Sequence, residues 1–447
     1  MGAFHAYDIR GIYNHDFNKD DAYKIGFFLP RLLNTNRVLV GRDVRVSSPE
    51  IYEYLTNGIT DAGANVVSIG ICTTPMVYWS TASLNFDASV MITASHNPRE
   101  YNGMKVSRTG AMPVGFANGL GELQRMITED KIVVADKKGT IEEIDVKEKY
   151  LEFLSKYKND VSNLKIAVDC SNGMGGLLIH DILGDQPTYI YDELDGTFPN
   201  HEANPLVQEN VADLKKLVLE TKSDIGVIFD GDADRVMFVD EKGKFISPDL
   251  MIGVLGHYFL NPGDTGVKVI QDVRTSKAVG EYLAPMGGQV NSWRVGRAFA
   301  APKLKEIDGL FGGELAGHYY FKDFFYSDSA MMATLIILDV VAEMKRKGIS
   351  LSELISNISK YANSGEINYK IDAKQAAMDA VKEHFMTTEE STKFMDFDGY
   401  RIEFADWWLS IRPSNTEPYL RLLAEAKSED LLNEKIAKID EIIKSKM

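Results

Sequence analysis

The 447-residue chain contains few of the features that mark secreted or membrane proteins. Its two cysteines, Cys72 and Cys170, lie far apart and form no zinc-ligand spacing, so we expect reduced thiols and a cytoplasmic protein. The chain does not begin with a cationic segment followed by an apolar one, so no secretory signal is predicted. The most apolar long window, 330–344, is too short to span a bilayer and contains Asp339, and it is predicted to be a core helix.

Basic residues are outnumbered by acidic ones. The formal net charge is −16 at pH 7, and no long block of Lys or Arg occurs. Nucleic acids and anionic membranes bind basic surfaces, so we expect neither as a partner. An acidic protein can still bind small phosphorylated molecules if its Arg and Lys residues gather in one cleft.

Short β-branched runs alternate with helical stretches over the first two-thirds of the chain. Continuous apolar strands separated by helices indicate an α/β architecture with largely parallel sheets. The last segment has two strand-like runs and a final amphipathic helix, which predicts a small α+β domain. One face of that helix carries Leu432, Ile436, Ile439 and Ile443. The predicted strands are 37–41, 65–69, 89–94, 165–169, 224–230, 268–272, 401–404 and 408–411.

A weak internal repeat favours related modules. Residues 43–47 (DVRVS) follow one predicted strand, residues 272–276 (DVRTS) follow another, and a third strand ends in residues 169–173 (DCSNG). The alternative is that Asp and Ser are ordinary helix-starting residues after any strand. Charged or polar stretches at 136–145, 241–248 and 363–366 suggest boundaries, and we expect domains at 1–142, 143–245, 246–362 and 363–447.

Residues 230–235 read DGDADR between two predicted strands. Asp230, Asp232 and Asp234 stand at alternate positions of a tight turn, where converging carboxylates repel unless a cation lies between them. Oxygen ligands favour a hard ion, so the motif predicts a Mg²⁺ site. A calcium loop is disfavoured because Arg235 stands where that motif needs glycine. A solvated acidic hairpin is the other alternative.

Residues 93–98 (TASHNP) end a buried strand and carry Ser95 beside His96. Neighbouring residues in a strand point to opposite faces, so His96 need not reach the Ser95 hydroxyl as a hydrolase would require. The glycine-flanked elbow typical of many serine hydrolases is absent. Taken alone, the stretch is equally well explained as a strand end capped by polar residues.

Two later motifs also have a functional and a plain interpretation. Residues 312–318 (GGELAGH) frame Glu314 with glycines, which suits close approach to sugar hydroxyls or an ordinary loop. Residues 412–418 (RPSNTEP), followed by Arg421, combine Arg, hydroxyls and an amide, which suits a phosphate-binding nest or a Pro-bounded turn.

The four motifs occur in this order across almost the whole chain. With them, the sequence resembles the α-D-phosphohexomutase family of phosphomannomutases and phosphoglucomutases. In that family TASHNP is the phosphoserine loop, DGDADR the magnesium loop, GGE-x-x-GH the sugar-binding loop and R-x-SNTEP the phosphate-binding loop. Residues 7–11 (YDIRG) also resemble the family's opening motif, whose arginine lies in the active site. The resemblance implies three related α/β domains with mixed, largely parallel sheets around a central cleft, and a smaller C-terminal α+β domain.

The resemblance also implies an activity: interconversion of hexose 1-phosphate and hexose 6-phosphate, of mannose or glucose, through a phosphoserine and a hexose 1,6-bisphosphate. Ser95 would carry the phosphoryl group, and Mg²⁺ would join it to the three aspartates. Arg10, Lys105 and Arg235 would supply cations. The implied substrate-binding residues are Glu314, Arg412, Ser414, Asn415, Thr416 and Arg421.

Lys105 and His318 are the candidates for general acid–base catalysis. A lysine crowded by cations and metal loses its proton more easily, and imidazole titrates near neutrality. For His318 a structural hydrogen bond is the alternative.

The chain departs from the family pattern in two places. Leu315-Ala316 stands where phosphomannomutase-type members usually carry Met-Ser and phosphoglucosamine mutases Gln-Ser. Arg297 stands where the family often has His or Asp, and it either favours a phosphate or an acidic substituent or bridges domains. Phosphoglucosamine mutase, metal-dependent sugar phosphatase and silent sugar-phosphate binder are therefore alternatives. We expect small sugar phosphates as ligands, and a monomer or homodimer.

Overall fold

A computed structural model describes residues 2–414 and 419–446, and these residues form four β-sheets that follow one another along the chain. We call each sheet with its helices a domain. The first three sheets are mixed and carry helices, and the fourth is antiparallel, so the predicted fold class is confirmed. No helix in the described ranges has both the length and the apolar character that a membrane span requires.

The first domain carries the predicted phosphoserine loop at its carboxyl edge. Its strands are β1 (Ile9–Ile12), β2 (Arg37–Arg42), β3 (Asn65–Ile71), β4 (Ala88–Ile92), β5 (Tyr101–Arg108), β6 (Met112–Pro113) and β7 (Ile141–Glu143), and its helices are α1 (Lys19–Leu33), α2 (Ser48–Asp61), α3 (Thr74–Ser83) and α4 (Leu120–Glu129). The strand order is β1-β5-β4-β2-β3-β7, with β6 beside β5. Strand β4 is buried on both faces, and residues 93–98 leave its end.

The second domain presents the DGDADR motif as a hairpin turn. Its strands are β8 (Ile166–Asp169), β9 (Thr188–Ile190), β10 (Ile225–Phe229), β11 (Val236–Asp240) and β12 (Phe245–Ile246), and its helices are α5 (Lys147–Ser155), α6 (Ile179–Leu183) and α7 (Ala212–Thr221). The strand order is β12-β11-β10-β8-β9. Phe229 pairs with Val236 across the antiparallel β10–β11 ladder, so residues 230–235 form the connecting turn.

The third domain carries the GGELAGH motif between two short strands. Its strands are β13 (Val267–Asp272), β14 (Gly288–Trp293), β15 (Phe311–Gly313) and β16 (Tyr319–Phe321), and its helices are α8 (Leu250–Phe259), α9 (Lys277–Leu283), α10 (Arg297–Glu306), α11 (Ala330–Arg346) and α12 (Leu351–Ile358). The strand order is β14-β13-β15-β16. Gly313 pairs with Tyr319, so residues 314–318 turn between β15 and β16. Helix α11 is the predicted core helix, and it is almost wholly buried.

The fourth domain is the predicted α+β tail. Its strands are β17 (Ala362–Asn363), β18 (Ile367–Lys370), β19 (Lys393–Met395), β20 (Tyr400–Glu403), β21 (Trp407–Pro413) and β22 (Tyr419–Ala426), and its helices are α13 (Lys374–Thr388) and α14 (Glu429–Lys444). The strand order is β17-β22-β21-β20-β19, with β18 beside β22. Leu432, Ile439 and Ile443 of α14 are buried, and Ile436 packs against the same core while partly exposed.

One hydrophobic cluster of the described residues runs through the first three domains. It joins Trp79 of α3, Tyr150 of α5 and Phe324 of the third domain, with ring centroids 5.7 Å and 6.3 Å apart along that path. The fourth domain packs its own cluster around β21, β22 and the helices α13 and α14. The first three domains are thus held together by apolar packing, which fixes how their edges meet.

The predicted domain boundaries remain a proposal. The divisions after residues 142, 245 and 362 each fall inside a short strand, β7, β12 or β17. The predicted strands, by contrast, all occur within about two residues of their expected ends, because their β-branched runs fill buried positions of the sheets.

Close packing of α1 on α2 gives a first testable prediction. A Cβ at Gly58 would lie 2.0 Å from the carbonyl oxygen of Tyr23, so Gly58→Ala forces the helices apart and should cost about 1–3 kcal/mol or more. In helix α9 a Cβ at Gly280 would meet only Val290 at 3.9 Å, so Gly280→Ala should be neutral or stabilise by about 0.4–1 kcal/mol. Calorimetry compares the melting midpoints of the two variants. Equal midpoints would contradict the close contact of α1 with α2 at Gly58.

Candidate active site

Ser95 leaves strand β4 in a backbone conformation that brings its hydroxyl to the second domain. Its φ is 53°, in the left-handed region that non-glycine residues rarely adopt. The side chain is 1% exposed, and Oγ donates a hydrogen bond to Asp230 Oδ2 at 2.9 Å. The predicted phosphoserine and magnesium loops are therefore in direct contact.

His96 lies closer to the Ser95 hydroxyl than the alternation of side chains along a strand predicts, since its Nδ1 is 3.3 Å from Ser95 Oγ. Strand β4 ends at Ile92, so the alternation of faces no longer applies at positions 95 and 96. Burial lowers the pKa of His96 well below its usual value, and Arg235 and Arg10 lower it further. The imidazole beside Ser95 is thus held neutral.

The turn 230–235 gathers three buried carboxylates. Asp230, Asp232 and Asp234 are each at most 1% exposed, and one oxygen of each lies within 4.8 Å of the others. Burial raises the pKa of Asp230 well above its usual value, and repulsion from the other two carboxylates adds to the effect. Oδ1 of Asp232 and Oδ1 of Asp234 are buried without a hydrogen-bond partner among residues 2–414 and 419–446. Unpartnered carboxylate oxygens in this arrangement fit a hard divalent cation.

Lys105 of strand β5 supplies positive charge to this cluster. Its Nζ lies 2.6 Å from Asp232 Oδ2 and also contacts Asp234. Burial disfavours the ammonium, but the two carboxylates outweigh it and raise the pKa of Lys105 well above its usual value. The Arg10 cation acts in the opposite direction, but the balance of charges around Lys105 in the structure favours the ammonium. Thr74 also donates to Asp232 Oδ2, at 2.5 Å.

His318 brings the third domain into the cluster. Its Nδ1 lies 2.6 Å from Asp328 Oδ2, and its Nε2 accepts a hydrogen bond from Arg235 Nε at 3.0 Å. Since Nε2 accepts, Nδ1 carries the proton and donates to Asp328. The imidazole is oriented from both sides, and its Nδ1 also lies 3.7 Å from Asp234.

Arg297 proves to bridge domains. Its Nε donates to Asp328 at 3.0 Å, its Nη2 donates to the carbonyl of Ala111 in the first domain at 2.6 Å, and the guanidinium stacks 3.6 Å from the ring centroid of Tyr78. The unusual cation therefore ties the first domain to the residue that orients His318.

Two arginines hold the phosphoserine loop. Buried Arg45 donates hydrogen bonds to the carbonyls of Ser95, Asn97, Pro98 and Tyr101, at 2.6–3.0 Å. Its Nε lies 3.2 Å from Asp43. Arg10 donates to Asn97 Oδ1 at 2.8 Å and pairs with Asp8. The loop is thus fixed through its backbone as well as through Ser95.

Glu314 begins the turn that ends in His318. It is 2% exposed, and its two oxygens accept hydrogen bonds from the Tyr320 hydroxyl at 2.6 Å and from the Gly296 backbone at 3.0 Å. Burial raises the pKa of Glu314. Asp272 accepts a hydrogen bond from Leu315 N at 2.9 Å and so holds the same turn.

The predicted phosphate-binding residues lie on the fourth domain, outside the Ser95 cluster. Arg412 of β21 contacts Asp398 at 3.0 Å, and Arg421 of β22, which is opposite it in register, pairs with Glu366 at 3.3 Å. Ser414 donates its backbone N–H to the Tyr419 carbonyl at 2.8 Å. The predicted residues Asn415 and Thr416 lie outside the described residues.

Comparison with known proteins identifies the family. The phosphoglucomutase/phosphomannomutase alpha/beta/alpha domains I, II and III match residues 1–126, 148–243 and 247–361, and the C-terminal domain of the same family matches 366–442. The chain belongs to the phosphoglucomutase/phosphomannomutase family.

Relatives match this family member over nearly its whole length. A phosphomannomutase from Vibrio cholerae is 35% identical over 461 residues, which cover 99% of this chain and 98% of that protein. A protein from Xanthomonas campestris named phosphohexose mutases is 36% identical over 441 residues, 97% of each chain. The solved structure of a phosphoglucomutase/phosphomannomutase family protein from Burkholderia thailandensis has a TM-score of 0.88 at 27% identity, covering 99% of this chain and 97% of that one.

Sequence reasoning did not single out Arg45, Thr74 or Asp328 in this family member as site residues. For Arg45 a signal existed, because the Asp-Val-Arg repeat recurs at 272–274. Thr74 and Asp328 stand in no recognisable motif. Thr74 contacts Asp232, which is distant in sequence, and Asp328 contacts His318 across the turns that follow β16.

The contact between the two loops gives a second prediction. A Cβ at Gly231 would lie 2.4 Å from the carbonyl oxygen of Ser95, so Gly231→Ala must separate the loops. Amide hydrogen exchange in residues 93–101 and 229–236 should then accelerate by about tenfold or more. The Gly280→Ala control should leave exchange there unchanged, and wild-type exchange in Gly231→Ala would show that the loops do not depend on this approach.

Proposed function

We propose that this chain is a hexose-phosphate mutase that interconverts the 1- and 6-phosphates of mannose or glucose through a phosphoryl group carried on Ser95. The observation that carries the proposal is the 2.9 Å hydrogen bond from the buried Ser95 hydroxyl to Asp230, beside two more carboxylates and the Lys105 ammonium. The names of the relatives agree with this activity. We place the protein in the cytoplasm, as a monomer or homodimer.

Phosphoryl transfer depends on neutralising negative charge and aligning the reacting oxygens. Ser95, Asp230, Asp232 and Asp234 would hold Mg²⁺, which when bound would neutralise charge on the phosphoryl group. The unpartnered oxygens of Asp232 and Asp234 support this assignment. Arg10, Lys105 and Arg235 add fixed positive charge around the same place.

The proposed reaction has two balanced transfers. In the first, the sugar 6-hydroxyl oxygen bonds to phosphorus as the bond between Ser95 Oγ and phosphorus breaks, and the hydroxyl proton passes to a base. The resulting hexose 1,6-bisphosphate turns end for end. In the second, Ser95 Oγ takes the phosphoryl group from the 1-position and the sugar oxygen regains a proton.

Lys105 and His318 are the proposed proton carriers, with Lys105, which Asp232 and Asp234 hold as an ammonium, as the proton donor. His318 is held by Asp328 and Arg235, so its ring has one orientation relative to Asp234. Lys105 reaches Asp232 and Asp234 from β5 of the first domain. The two groups thus approach the carboxylates from different domains, which suits transfers in both orientations of the substrate.

Substrate choice is proposed from the sugar-binding turn. Leu315 and Ala316 offer no side-chain hydroxyl, and Arg297 is occupied by Asp328 and Ala111. Glu314 is then the carboxylate we assign to the sugar hydroxyls. Turnover on mannose, glucose and glucosamine 1-phosphates checks the assignment, because a clear preference for the amino sugar would identify a phosphoglucosamine mutase.

Ser95→Ala should abolish the mutase reaction without unfolding the protein. Removing the carrier oxygen leaves no acceptor for the phosphoryl group, so turnover should fall by roughly 10³-fold or more. Ser155→Ala, at an exposed position of α5, is the matched control. Incubation with glucose 1,6-bisphosphate should add the mass of one phosphoryl group to the wild type and none to Ser95→Ala. Wild-type turnover in Ser95→Ala, or steady phosphate release without bisphosphate stimulation, would overturn the proposal.

Asp232→Asn should weaken Mg²⁺ binding. The change keeps the shape of the side chain and removes one of three converging negative charges. A ligand that binds only the folded state stabilises it by RT ln(1 + [L]/Kd), so added Mg²⁺ should raise the melting midpoint of the wild type more than that of Asp232→Asn. Asp396→Asn, at an exposed position of the fourth domain, should respond like the wild type. The same response in Asp232→Asn would argue against the assigned ligands.

A further inference from the structure

The turn before β20 connects the fourth domain to the third through one carboxylate. Asp398 Oδ1 lies 3.0 Å from Arg412 Nη2 on β21. Asp398 Oδ2 accepts a hydrogen bond from the backbone N–H of Val295 at 2.9 Å. Arg412 Nη2 also donates to Asp398 Oδ2, at 3.3 Å. Val295 belongs to the loop between β14 and α10, so the carboxylate as a whole joins donors of the third and fourth domains, and Oδ2 accepts from both.

The contact continues to the predicted sugar-binding carboxylate. Gly296, the residue after Val295, donates its backbone N–H to Glu314 Oε2 at 3.0 Å. A short path of hydrogen bonds and one peptide unit therefore joins Arg412 to Glu314. The ends of this path are the residues assigned to the distant phosphate and to the sugar hydroxyls.

Packing fixes the turn that carries Asp398. Phe397 packs against Trp293 with ring centroids 5.1 Å apart. Gly399 has a φ of 69°, and a Cβ there would lie 2.4 Å from the Ile411 carbonyl oxygen and 2.5 Å from Arg412 Cβ. Only glycine allows the turn to press this closely on the residue that Asp398 contacts.

Arg412 retains capacity for a ligand while it contacts Asp398. Its side chain is 8% exposed, and its Nε is buried without a hydrogen-bond partner among the described residues. A guanidinium held on one edge by a carboxylate is oriented for an anion at its remaining donors.

Other contacts attach the fourth domain to the third independently of Asp398. Buried Arg401 donates to the carbonyls of Val273 and Thr275 at 3.0 Å and 2.6 Å. Ser276 donates to Glu425 at 2.7 Å. Attachment alone therefore does not explain why Asp398 contacts Arg412 and Val295 together.

We infer that Asp398 is a positioning residue that sets the separation between Arg412 and Glu314, and thereby matches the site to the length of a hexose monophosphate. The inference rests on the proposed function, with the non-reacting phosphate at Arg412 and the ring hydroxyls at Glu314. Asp398 itself acts through these two residues. The substrate class it favours is a six-carbon sugar phosphate over a shorter, five-carbon one.

Asp398→Asn is the sharpest test, because asparagine is isosteric but has one acceptor oxygen where aspartate has two. Its amide NH₂ must then stand at one of the two oxygen positions, against Arg412 or against both donors, so the contacts of that oxygen are lost together with the negative charge that holds the Arg412 guanidinium. We expect the KM for glucose 1-phosphate to rise roughly tenfold or more, and kcat/KM for glucose 1-phosphate relative to ribose 1-phosphate to fall by a similar factor. Asp396→Asn, two residues away and exposed, is the matched control and should match the wild type.

A binding measurement separates this inference from the proposed function. In the Ser95→Ala background, calorimetric titration with glucose 6-phosphate should show weaker binding when Asp398→Asn is added and unchanged binding when Asp396→Asn is added. If the wild type turns over no hexose phosphate, the proposed function fails, whereas the binding comparison still tests Asp398. An unchanged KM and sugar ratio in Asp398→Asn, or an equal loss for both sugars, would overturn the positioning role.

Discussion

Three carboxylates of one turn lie buried together where the first three domains meet, and their repulsion has to be offset by cations from elsewhere in the chain. Lys105 of the first domain supplies such a cation, and Arg235 at the end of the turn adds a second. His318 of the third domain lies 3.7 Å from Asp234 and accepts a hydrogen bond from Arg235. Burying charge without partners is expensive, so the cluster is stable only where these domain edges are in contact. The apolar core shared by the three domains provides that contact. The chemistry of the site and the assembly of the domains therefore depend on the same interface.

The internal repeat has a physical counterpart in each of the first three domains. Asp169 and Asp272 end a parallel strand and Asp43 directly follows one. Each accepts a hydrogen bond from the backbone N–H two residues later, at 2.8, 2.6 and 3.0 Å respectively. The partner then differs. Asp43 holds Arg45 under the phosphoserine loop, Asp272 holds Arg274 beside Glu314, and Asp169 contacts His201. The same aspartate–arginine arrangement thus supports the phosphoserine loop in the first domain and the sugar-binding turn in the third. In the second domain, which supplies the three carboxylates, a histidine takes the place of the arginine.

The sequence predicted what local patterns determine. Buried strands such as β4 and β10 were found because continuous β-branched runs are incompatible with exposure, and the three aspartates were found because their spacing has few other uses. What local patterns do not determine is the partner of a side chain. Thr74 meets Asp232 across 158 positions of sequence, and Arg297 could be assigned to a bridge only once Asp328 and Ala111 were both beside it. For the same reason, the carboxylates that favour the ammonium of Lys105 could not be anticipated, because they come from another domain.

The way the fourth domain is attached follows from what the proposed cycle requires. The reacting centre must keep its geometry through two transfers, and it lies within domains that share an apolar core. The bisphosphate must be released at its far end and rebound after turning, so the residues that hold that end need to move. The fourth domain has its own core and contacts the third mainly through hydrogen bonds of Arg401, Glu425 and Asp398, together with the single aromatic pair of Phe397 and Trp293. Polar contacts of this kind are exchanged with water at little cost, whereas separating an apolar core is costly. The fourth domain is therefore expected to move between the two transfers, and Asp398 sets the separation of Arg412 and Glu314 whenever that domain is closed on the third. The place where the phosphoryl group is transferred is expected to stay rigid.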